Sequence, residues 1–102
     1  MLIILTTISN KAAGEVLAEK IVEAKLAACV QILPEMTSVY VWEGKVQKEH
    51  EHLLLIKTLP VKYAELAALI IANHSYDVPE IVAIEAERVS EPYLAWMESV
   101  LK

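Results

Sequence analysis

The sequence predicts a protein of the α+β class, in which an antiparallel sheet packs against helices. Three observations support this prediction. Apolar residues follow a period of two in some stretches and a helical period in others. The stretch from Pro34 to Thr58 has the composition of a long hairpin that turns at Gly44. Its second arm contains Leu53 to Ile56, which is apolar on both sides and must be covered twice.

The N-terminal part of the chain predicts a strand followed by an amphipathic helix. Leu2 to Ile8 is a nearly unbroken aliphatic run, which is typical of a buried central strand. Ser9 or Asn10 then supplies a side chain that can cap a helix. The helix buries one face only, because its apolar residues share one stripe. The stripe consists of Ala13, Val16, Leu17, Ile21, Ala24 and Ala27.

The middle of the chain predicts an interrupted strand and the long hairpin. Cys29 to Leu33 has an extended pattern, and Pro34 interrupts it before the first hairpin arm at Thr37 to Trp42. Because a proline within a strand favours an edge or a bulge, we expect this region to lie at the rim of the sheet. Glu43-Gly44-Lys45 forms the turn, and Leu53 to Thr58 forms the second arm.

A second helix follows the hairpin. Thr58 or Leu59 is expected to cap it, and Pro60 lies in its first turn, where the missing N–H costs little. Its apolar residues again share one stripe, and His74 extends that stripe by one turn toward the sheet. The inward-facing residues are Tyr63, Leu66, Ala67, Ile70, Ile71 and His74.

The remaining residues predict a loop, a strand and a helix. Ser75 to Pro79 forms the loop, Glu80 to Arg88 forms the last strand, and Glu91-Pro92 opens a C-terminal helix. The order is therefore β-α-β-β-α-β with an extra C-terminal helix, which is the ferredoxin-like split β-α-β arrangement with a long hairpin. With 102 residues, the chain is expected to form one domain, residues 1–102.

This topology predicts a sheet face that one copy cannot cover. Right-handed crossovers place both helices on the same side of the sheet, so the opposite face stays bare. Several strands carry Leu, Ile or Val on both faces. Exposing these side chains would forgo about 1.5–3 kcal/mol each, which is comparable in sum with the net stability of a domain. We therefore expect a closed homo-oligomer.

Composition excludes some partners. The formal charge is −5 and Arg88 is the only arginine, so no basic cluster for nucleic acid is present. The apolar fraction of 56% exceeds the usual ~45–50%, yet no run approaches the ~20 apolar residues of a membrane span. The chain opens directly into a strand, and Cys29 is its only cysteine. We expect a cytoplasmic protein without a membrane partner or a disulfide.

Seven segments, in this order and spacing, resemble the CutA divalent-cation-tolerance family across nearly the whole chain. They are Leu26 to Val30, Leu33-Pro34, Thr37 to Tyr40, Trp42 to Lys45, Leu55 to Thr58, His74 to Ile81 and Tyr93 to Trp96. The resemblance implies a ferredoxin-like subunit in a tight trimer that is linked to tolerance of copper and other divalent metals. It implies no established enzymatic reaction, and an architecture similar to trimeric nitrogen-regulatory signalling proteins.

The resemblance also implies clefts between subunits, lined by polar and aromatic residues that recur in the family. The matching residues here are Cys29, Trp42, Lys57, His74, Tyr76, Glu80 and Trp96. One position departs from the family, which has a proline where this chain has Ser75. Because a proline disfavours helix at the residue before it, Ser75 is expected to let the preceding helix run further.

Five residues are candidate metal ligands. His50 and His52 lie two apart on a strand, so both side chains project from one face and could chelate Cu(II), Zn(II) or Ni(II). Cys29 offers a soft thiolate if other donors converge on it. His74 lies near Glu80. The alternatives are a solvated hairpin arm, a small buried cysteine and a core histidine bonded to the backbone.

Five further residues are candidates for the wall of a cleft between subunits. Lys57 ends an apolar strand and could neutralise an anion, or it could extend its stem past the sheet rim. Aromatic rings could line a small-molecule pocket or anchor an interface instead. These aromatic candidates are Tyr40, Trp42, Tyr76 and Trp96.

Three functions remain open. The first is a non-enzymatic trimer that binds divalent metal, chiefly copper, in metal tolerance or signalling. The second is a trimeric small-molecule sensor or scaffold with an anionic ligand in the cleft between subunits, for which Lys57 and Trp42 are the evidence. The third is an acyl-phosphate hydrolase on the same fold, for which Arg88 would be the only phosphate-clamping arginine.

Overall fold

The computed structural model describes residues 1–102 and has the predicted α+β class. Its five strands are β1 (Leu2–Ile8), β2 (Cys29–Ile32), β3 (Met36–Trp42), β4 (Lys45–Thr58) and β5 (Val82–Glu85). Its helices are α1 (Lys11–Glu23), α2 (Tyr63–Asn73) and α3 (Glu91–Val100), with one 3₁₀ turn at Pro60–Lys62. None of these helices is long and apolar enough to cross a membrane.

Strand β4 organises the sheet. The strand order is β2-β4-β1-β5, and β3 pairs with β4 as well, always antiparallel. The C-terminal half of β4 lies between two strands, since Ile56 pairs with Ile4 of β1 on one side and with Val30 of β2 on the other. This central position explains why Leu53 to Ile56 is apolar on both sides.

The core lies between the sheet and the first two helices. Ile4 and Ile56 of the sheet pack with Leu17 of α1 and Leu66 of α2, all of them buried. Asn10 is the N-cap of α1, because its Oδ1 accepts a hydrogen bond of 2.8 Å from the N–H of Ala13. These residues follow the stripes that the sequence predicts, so α1 and α2 cover one face of the sheet.

Two fully buried threonines on this face differ in their hydrogen bonds. The hydroxyl of Thr58 donates to the carbonyl of Leu26 at 2.6 Å, whereas the hydroxyl of Thr6 has no partner. We expect Thr58→Val to lower the free energy of unfolding by about 1–3 kcal/mol, because the Leu26 carbonyl loses its donor. The matched variant Thr6→Val is expected to be neutral or stabilising, because it removes an unsatisfied polar group. Urea unfolding of both variants checks these two predictions. Equal losses of unfolding free energy in Thr58→Val and Thr6→Val would contradict them.

The hairpin is longer than predicted. The second arm begins at Lys45 rather than Leu53, because the polar residues before Leu53 form a ladder with β3 from Met36↔Glu51 to Trp42↔Lys45. Exposed strand residues need no apolar alternation, so the hydrophobic pattern does not mark them. The turn is tight, since Glu43 and Gly44 both have positive φ, at 51° and 78°. Two such residues are typical of a type I′ hairpin.

The boundaries of two other elements differ from the predicted ones. Strand β5 spans only Val82–Glu85 instead of Glu80 to Arg88, because its sole partner β1 begins at Leu2, which pairs with Glu85. Helix α2 ends at Asn73, and His74 is extended with φ −98° and ψ 143°. The prediction that His74 continues the helical stripe, and that Ser75 prolongs the helix, is therefore wrong.

The second face of the sheet is partly covered within one copy. Since Ile4 and Ile56 face α1 and α2, their neighbours Ile3 and Lys57 face the other way. The ammonium of Lys57 lies 5.4 Å from the centroid of the Tyr93 ring, which brings α3 against this side. The prediction of a wholly bare face is thus wrong at the Lys57 end. Val82 and Ile84 of β5 nevertheless remain 45% and 47% exposed.

Candidate functional site

The principal cavity of the chain lies where the hairpin leaves the sheet. It is bounded by the end of β1 at Thr7, by one face of the hairpin and by the loop from Ser75 to Glu80. Its volume is about 710 Å³, which falls within the ~300–1,000 Å³ of small-molecule sites. The cavity is thus built by three segments that are distant in the sequence.

Strand alternation determines which hairpin residues face this cavity. Residues directly opposite each other in an antiparallel ladder project to the same side. Ser38 pairs with Glu49, and alternate residues Tyr40 and Trp42 of β3 and Glu51 of β4 share that side. All five line the cavity.

His74 attaches the loop to the end of the sheet. Its Nδ1 accepts a hydrogen bond of 3.1 Å from the N–H of Tyr76, and its Nε2 lies 2.6 Å from the carbonyl oxygen of Thr7. Because the carbonyl can only accept, Nε2 carries the proton and donates. The rings of His74 and Tyr76 are also in contact, with centroids 4.6 Å apart and planes tilted by 53°. His74 is thus bonded at both nitrogens within the chain.

Tyr76 connects the loop to the hairpin. Its hydroxyl donates to Oε2 of Glu51 at 2.7 Å. Burial raises the pKa of Glu51, but hydrogen bonding by the hydroxyls of Ser38, Tyr76 and Thr7, with the electrostatic effect of His74, outweighs it, so the pKa lies below its ordinary value. Burial, then the hydrogen bond and charge of Glu51, hold the pKa of Tyr76 well above its usual range. Glu51 is therefore ionised and Tyr76 is protonated at neutral pH.

The cavity is strongly acidic. Four carboxylates line it, and no lysine, arginine or histidine does. They are Glu49, Glu51, Asp77 and Glu80. Burial, then the hydrogen bond and charge of Glu49, raise the pKa of Tyr40 at the same wall. We call this space, with its four carboxylates and the rings of Tyr40, Trp42 and Tyr76, the acidic cavity; its charge favours a cationic ligand over an anionic one.

The structure separates the residues predicted to line a cleft. Tyr40, Trp42 and Tyr76 meet at the acidic cavity. Lys57 does not, because Trp42 lies opposite Lys45 and Lys57 is about 40 Å further along β4 at ~3.3 Å per residue. Trp96 is on α3, beside Tyr93 at 5.5 Å. Within one chain, Lys57 and Trp42 thus form no common anion site.

The predicted metal ligands are likewise dispersed. No three His, Cys, Asp or Glu side chains converge to hold an ion. Cys29 pairs with Lys57, which pairs with Ile3, and Ile3 lies about 13 Å along β1 from Thr7, to which His74 is bonded. A single chain therefore does not bring Cys29 and His74 together.

The two hairpin histidines have different partners. Nδ1 of His52 lies 2.9 Å from the carbonyl oxygen of Leu33 and must donate to it, which leaves only Nε2 free. His50 is exposed, with Nδ1 3.6 Å from Oε1 of Glu35. The donors of one chain thus form fragments of at most two and do not fit a metal centre, which requires about four ligands for zinc.

Sequence reasoning omitted Glu49 and Glu51 from the site. Both residues project from the face of the strand opposite to His50 and His52, so a metal-ligand pattern on those histidines does not include them. The signal was available in the alternation of Glu49 and Glu51, which matches that of Ser38, Tyr40 and Trp42 across the turn. Asp77, on a distant loop, gave no such signal, whereas its neighbour Tyr76 was among the predicted cleft residues.

Together these features define a ferredoxin-like α+β protein with an acidic cavity at the base of its hairpin. The family model described as "CutA1 divalent ion tolerance protein" matches residues 2–100. This chain therefore belongs to the CutA1 divalent ion tolerance family.

Known relatives agree with this assignment. The chain is 46% identical over 98 residues to "Protein CutA, chloroplastic" of Arabidopsis thaliana, covering 96% of this chain and 54% of that protein. It is 39% identical over 95 residues to "Divalent-cation tolerance protein CutA" of Thermus thermophilus, covering 93% of this chain and 92% of that protein. The chain spans about half the length of the Arabidopsis and human relatives, at 54% and 52%.

Solved structures confirm the fold. The crystal structure of CutA1 from Oryza sativa superposes with a TM-score of 0.95 at 44% identity, and the alignment covers 99% of this chain and 93% of that chain. The ferredoxin-like fold predicted from the order of elements is thus that of the family.

Proposed function

We propose that this protein is a non-enzymatic homotrimer that binds divalent metal, chiefly copper, and contributes to metal tolerance in the cytoplasm. The observation that carries the proposal is the match to the divalent ion tolerance family over residues 2–100. The lone, half-buried thiol of Cys29 is compatible with a reducing compartment.

Exposed apolar residues support the assembly. Val41 and Val46, which pair directly near the hairpin turn, are 68% and 70% exposed. Val82 and Ile84 of the edge strand β5 are also exposed. Burying each such side chain stabilises a protein by about 1.5–3 kcal/mol. We therefore propose that a second and a third copy of the chain cover both surfaces.

The proposed metal donors are Cys29, His50, His52, His74 and Glu80. Because one chain brings no three of them together, we propose that a complete centre takes donors from more than one copy. His50 and its neighbour Glu35 are on the projecting hairpin region, where an exposed two-donor fragment is available to another subunit. Thiol and imidazole donors favour copper or zinc over magnesium or calcium.

Calorimetric titration with Cu(II) and with Zn(II) tests this proposal. Loss of a true ligand is expected to weaken metal binding at least about tenfold, because each ligand contributes more than ~1.4 kcal/mol. The variants are Cys29→Ala, His74→Ala, Glu80→Gln and the double change of His50 and His52 to Ala. Glu19→Gln, an exposed carboxylate on α1, is the matched control.

Each variant is first compared with the wild type by circular dichroism and sedimentation, so that unfolding or dissociation is not mistaken for loss of a ligand. Metal binding that is unaltered in every variant would remove all of the proposed donors. A wild-type chain that binds neither ion would refute the function itself.

A further inference from the structure

Glu51 has an unusual environment for a carboxylate. The residue is only 6% exposed, and none of the ion pairs in the chain involves it. Acidic residues are almost never this buried unless a cation pairs with them. The Tyr76 hydroxyl supplies a hydrogen bond but no charge. The two ring nitrogens of His74 contact the carbonyl of Thr7 and the N–H of Tyr76 rather than Glu51. Within the chain, Glu51 therefore has hydrogen-bond donors but no ion-pair partner.

The lining of the cavity around Glu51 offers no ion-pair partner either. The acidic cavity adds Glu49, Asp77 and Glu80 to Glu51, without one basic side chain. The nearest lysine along this face of the hairpin is Lys45, which pairs with Trp42 beside the turn and does not line the cavity. Several like charges around one space raise its affinity for a cation from outside.

The cavity does not suit a bare metal ion. Its carboxylates do not converge as a set of three donors, and its volume of about 710 Å³ is that of a small-molecule site. Tyr40 and Trp42 add two aromatic rings to the same wall. Aromatic faces attract organic ammonium groups through their quadrupole, and they bind the methylene groups beside them.

The spacing of the charges suggests more than one ammonium group. Glu49 and Glu51 are two residues apart on β4 and project to the same side, which separates them by about 7 Å along the strand. Amino groups at the two ends of a propyl or butyl chain have a comparable separation. A linear amine could thus pair one ammonium with each carboxylate, with its methylene groups on the aromatic wall.

We propose that the acidic cavity is a binding site for an aliphatic polyamine, with Glu51 and Glu49 as its charged anchors and Tyr40 and Trp42 as its aromatic wall. This inference goes beyond the proposed metal function and does not depend on it. Of the proposed metal donors, only Glu80 lines the cavity.

The test uses the full chain in its native assembly and spermidine as the probe. We expect spermidine to raise the thermal unfolding temperature and to bind in calorimetry, with an affinity that falls as salt rises. Butane-1,4-diol, a linear probe without charge, is expected to have no effect. Glu49→Gln and Glu51→Gln should each weaken spermidine binding about tenfold, as one charge-assisted hydrogen bond is lost.

Two further variants keep the test decisive if Glu51→Gln impairs folding. Glu49 is exposed, so Glu49→Gln is expected to fold, and Trp42→Leu removes an aromatic face while retaining an apolar side chain. Glu19→Gln on α1 is again the control for non-specific attraction to an acidic protein. Cys29→Ala is expected to leave spermidine binding unchanged, which separates this site from the metal donors.

Three results would overturn the inference. Spermidine could fail to stabilise the wild type at millimolar concentration, which would mean that the assembly supplies the missing cation itself. Glu19→Gln could weaken binding as much as Glu49→Gln, which would mean non-specific attraction. Mg²⁺ or Zn²⁺ could bind through Glu49 and Glu51 without competition from spermidine, which would make the cavity a metal site.

Discussion

The paired change of Val41→Lys and Val46→Glu is expected to convert the proposed trimer into single chains. The two valines lie directly opposite each other near the hairpin turn and are largely exposed in one copy. If another copy covers them, their replacement forgoes about 3–6 kcal/mol of burial per copy and requires two charges to be desolvated. Sedimentation at micromolar concentration is expected to show a trimer for the wild type and a monomer for the variant.

The design keeps the hairpin itself intact. Opposite charges on directly facing residues stabilise a ladder by about 0.2–1 kcal/mol, so the variant hairpin should still form. Val61→Lys is the matched control, because Val61 is 79% exposed on the 3₁₀ turn, away from the hairpin. A wild type that is monomeric in this experiment would refute the assembly, and a variant that remains trimeric would refute the role of these two valines.

Glu51→Gln is expected to produce a loss of stability that depends on pH. In the folded protein the pKa of Glu51 lies below its ordinary value, because hydrogen bonds to the charged form outweigh burial. The stabilisation of the folded state by ionised Glu51 is therefore fully present above the unfolded pKa of about 4.3. It is lost as pH falls through the folded pKa. At neutral pH, loss of a hydrogen bond to a charged group is expected to lower the free energy of unfolding by about 1.5–3 kcal/mol.

Urea unfolding at a fixed protein concentration measures this difference between wild type and variant across the acid range. The difference should be largest at neutral pH and shrink below about pH 4. Tyr76→Phe removes the donor of the same bond, so the two changes should be less than additive when combined. A loss for Glu51→Gln that is equal at both ends of the pH range would mean that packing, not charge, is responsible.

The hairpin would connect the proposed assembly with the proposed ligand binding. One of its faces carries Tyr40, Trp42, Glu49 and Glu51 into the acidic cavity. Val41 and Val46 lie on the opposite face, since strand side chains alternate. Docking another copy on the valines would thus order the strands whose other side holds the cavity. Spermidine binding to the Val41→Lys/Val46→Glu variant would measure that coupling directly.

Much of the architecture follows from local patterns in the chain. The aliphatic run of β1, the stripe of α1 and the cap at Asn10 each depend on residues close in sequence, and all three are found where the pattern predicts. The turn at Gly44 is equally local, because the positive φ it requires is a property of one or two residues. Segment spacing across the whole chain was also sufficient to identify the family.

The site depended on contacts that no local pattern contains. Lys57 and Trp42 were predicted to line a cleft between subunits, and β4 is long enough to keep them at opposite ends of one chain. Tyr76 and Glu51 are 25 residues apart and meet only because His74 bonds to the end of β1 and aims the loop at the hairpin. Hydrophobic periodicity reports which residues avoid water, and so it predicted the elements. It carries no information on which polar residues meet, because that depends on strand length, register and the direction in which a loop leaves its helix.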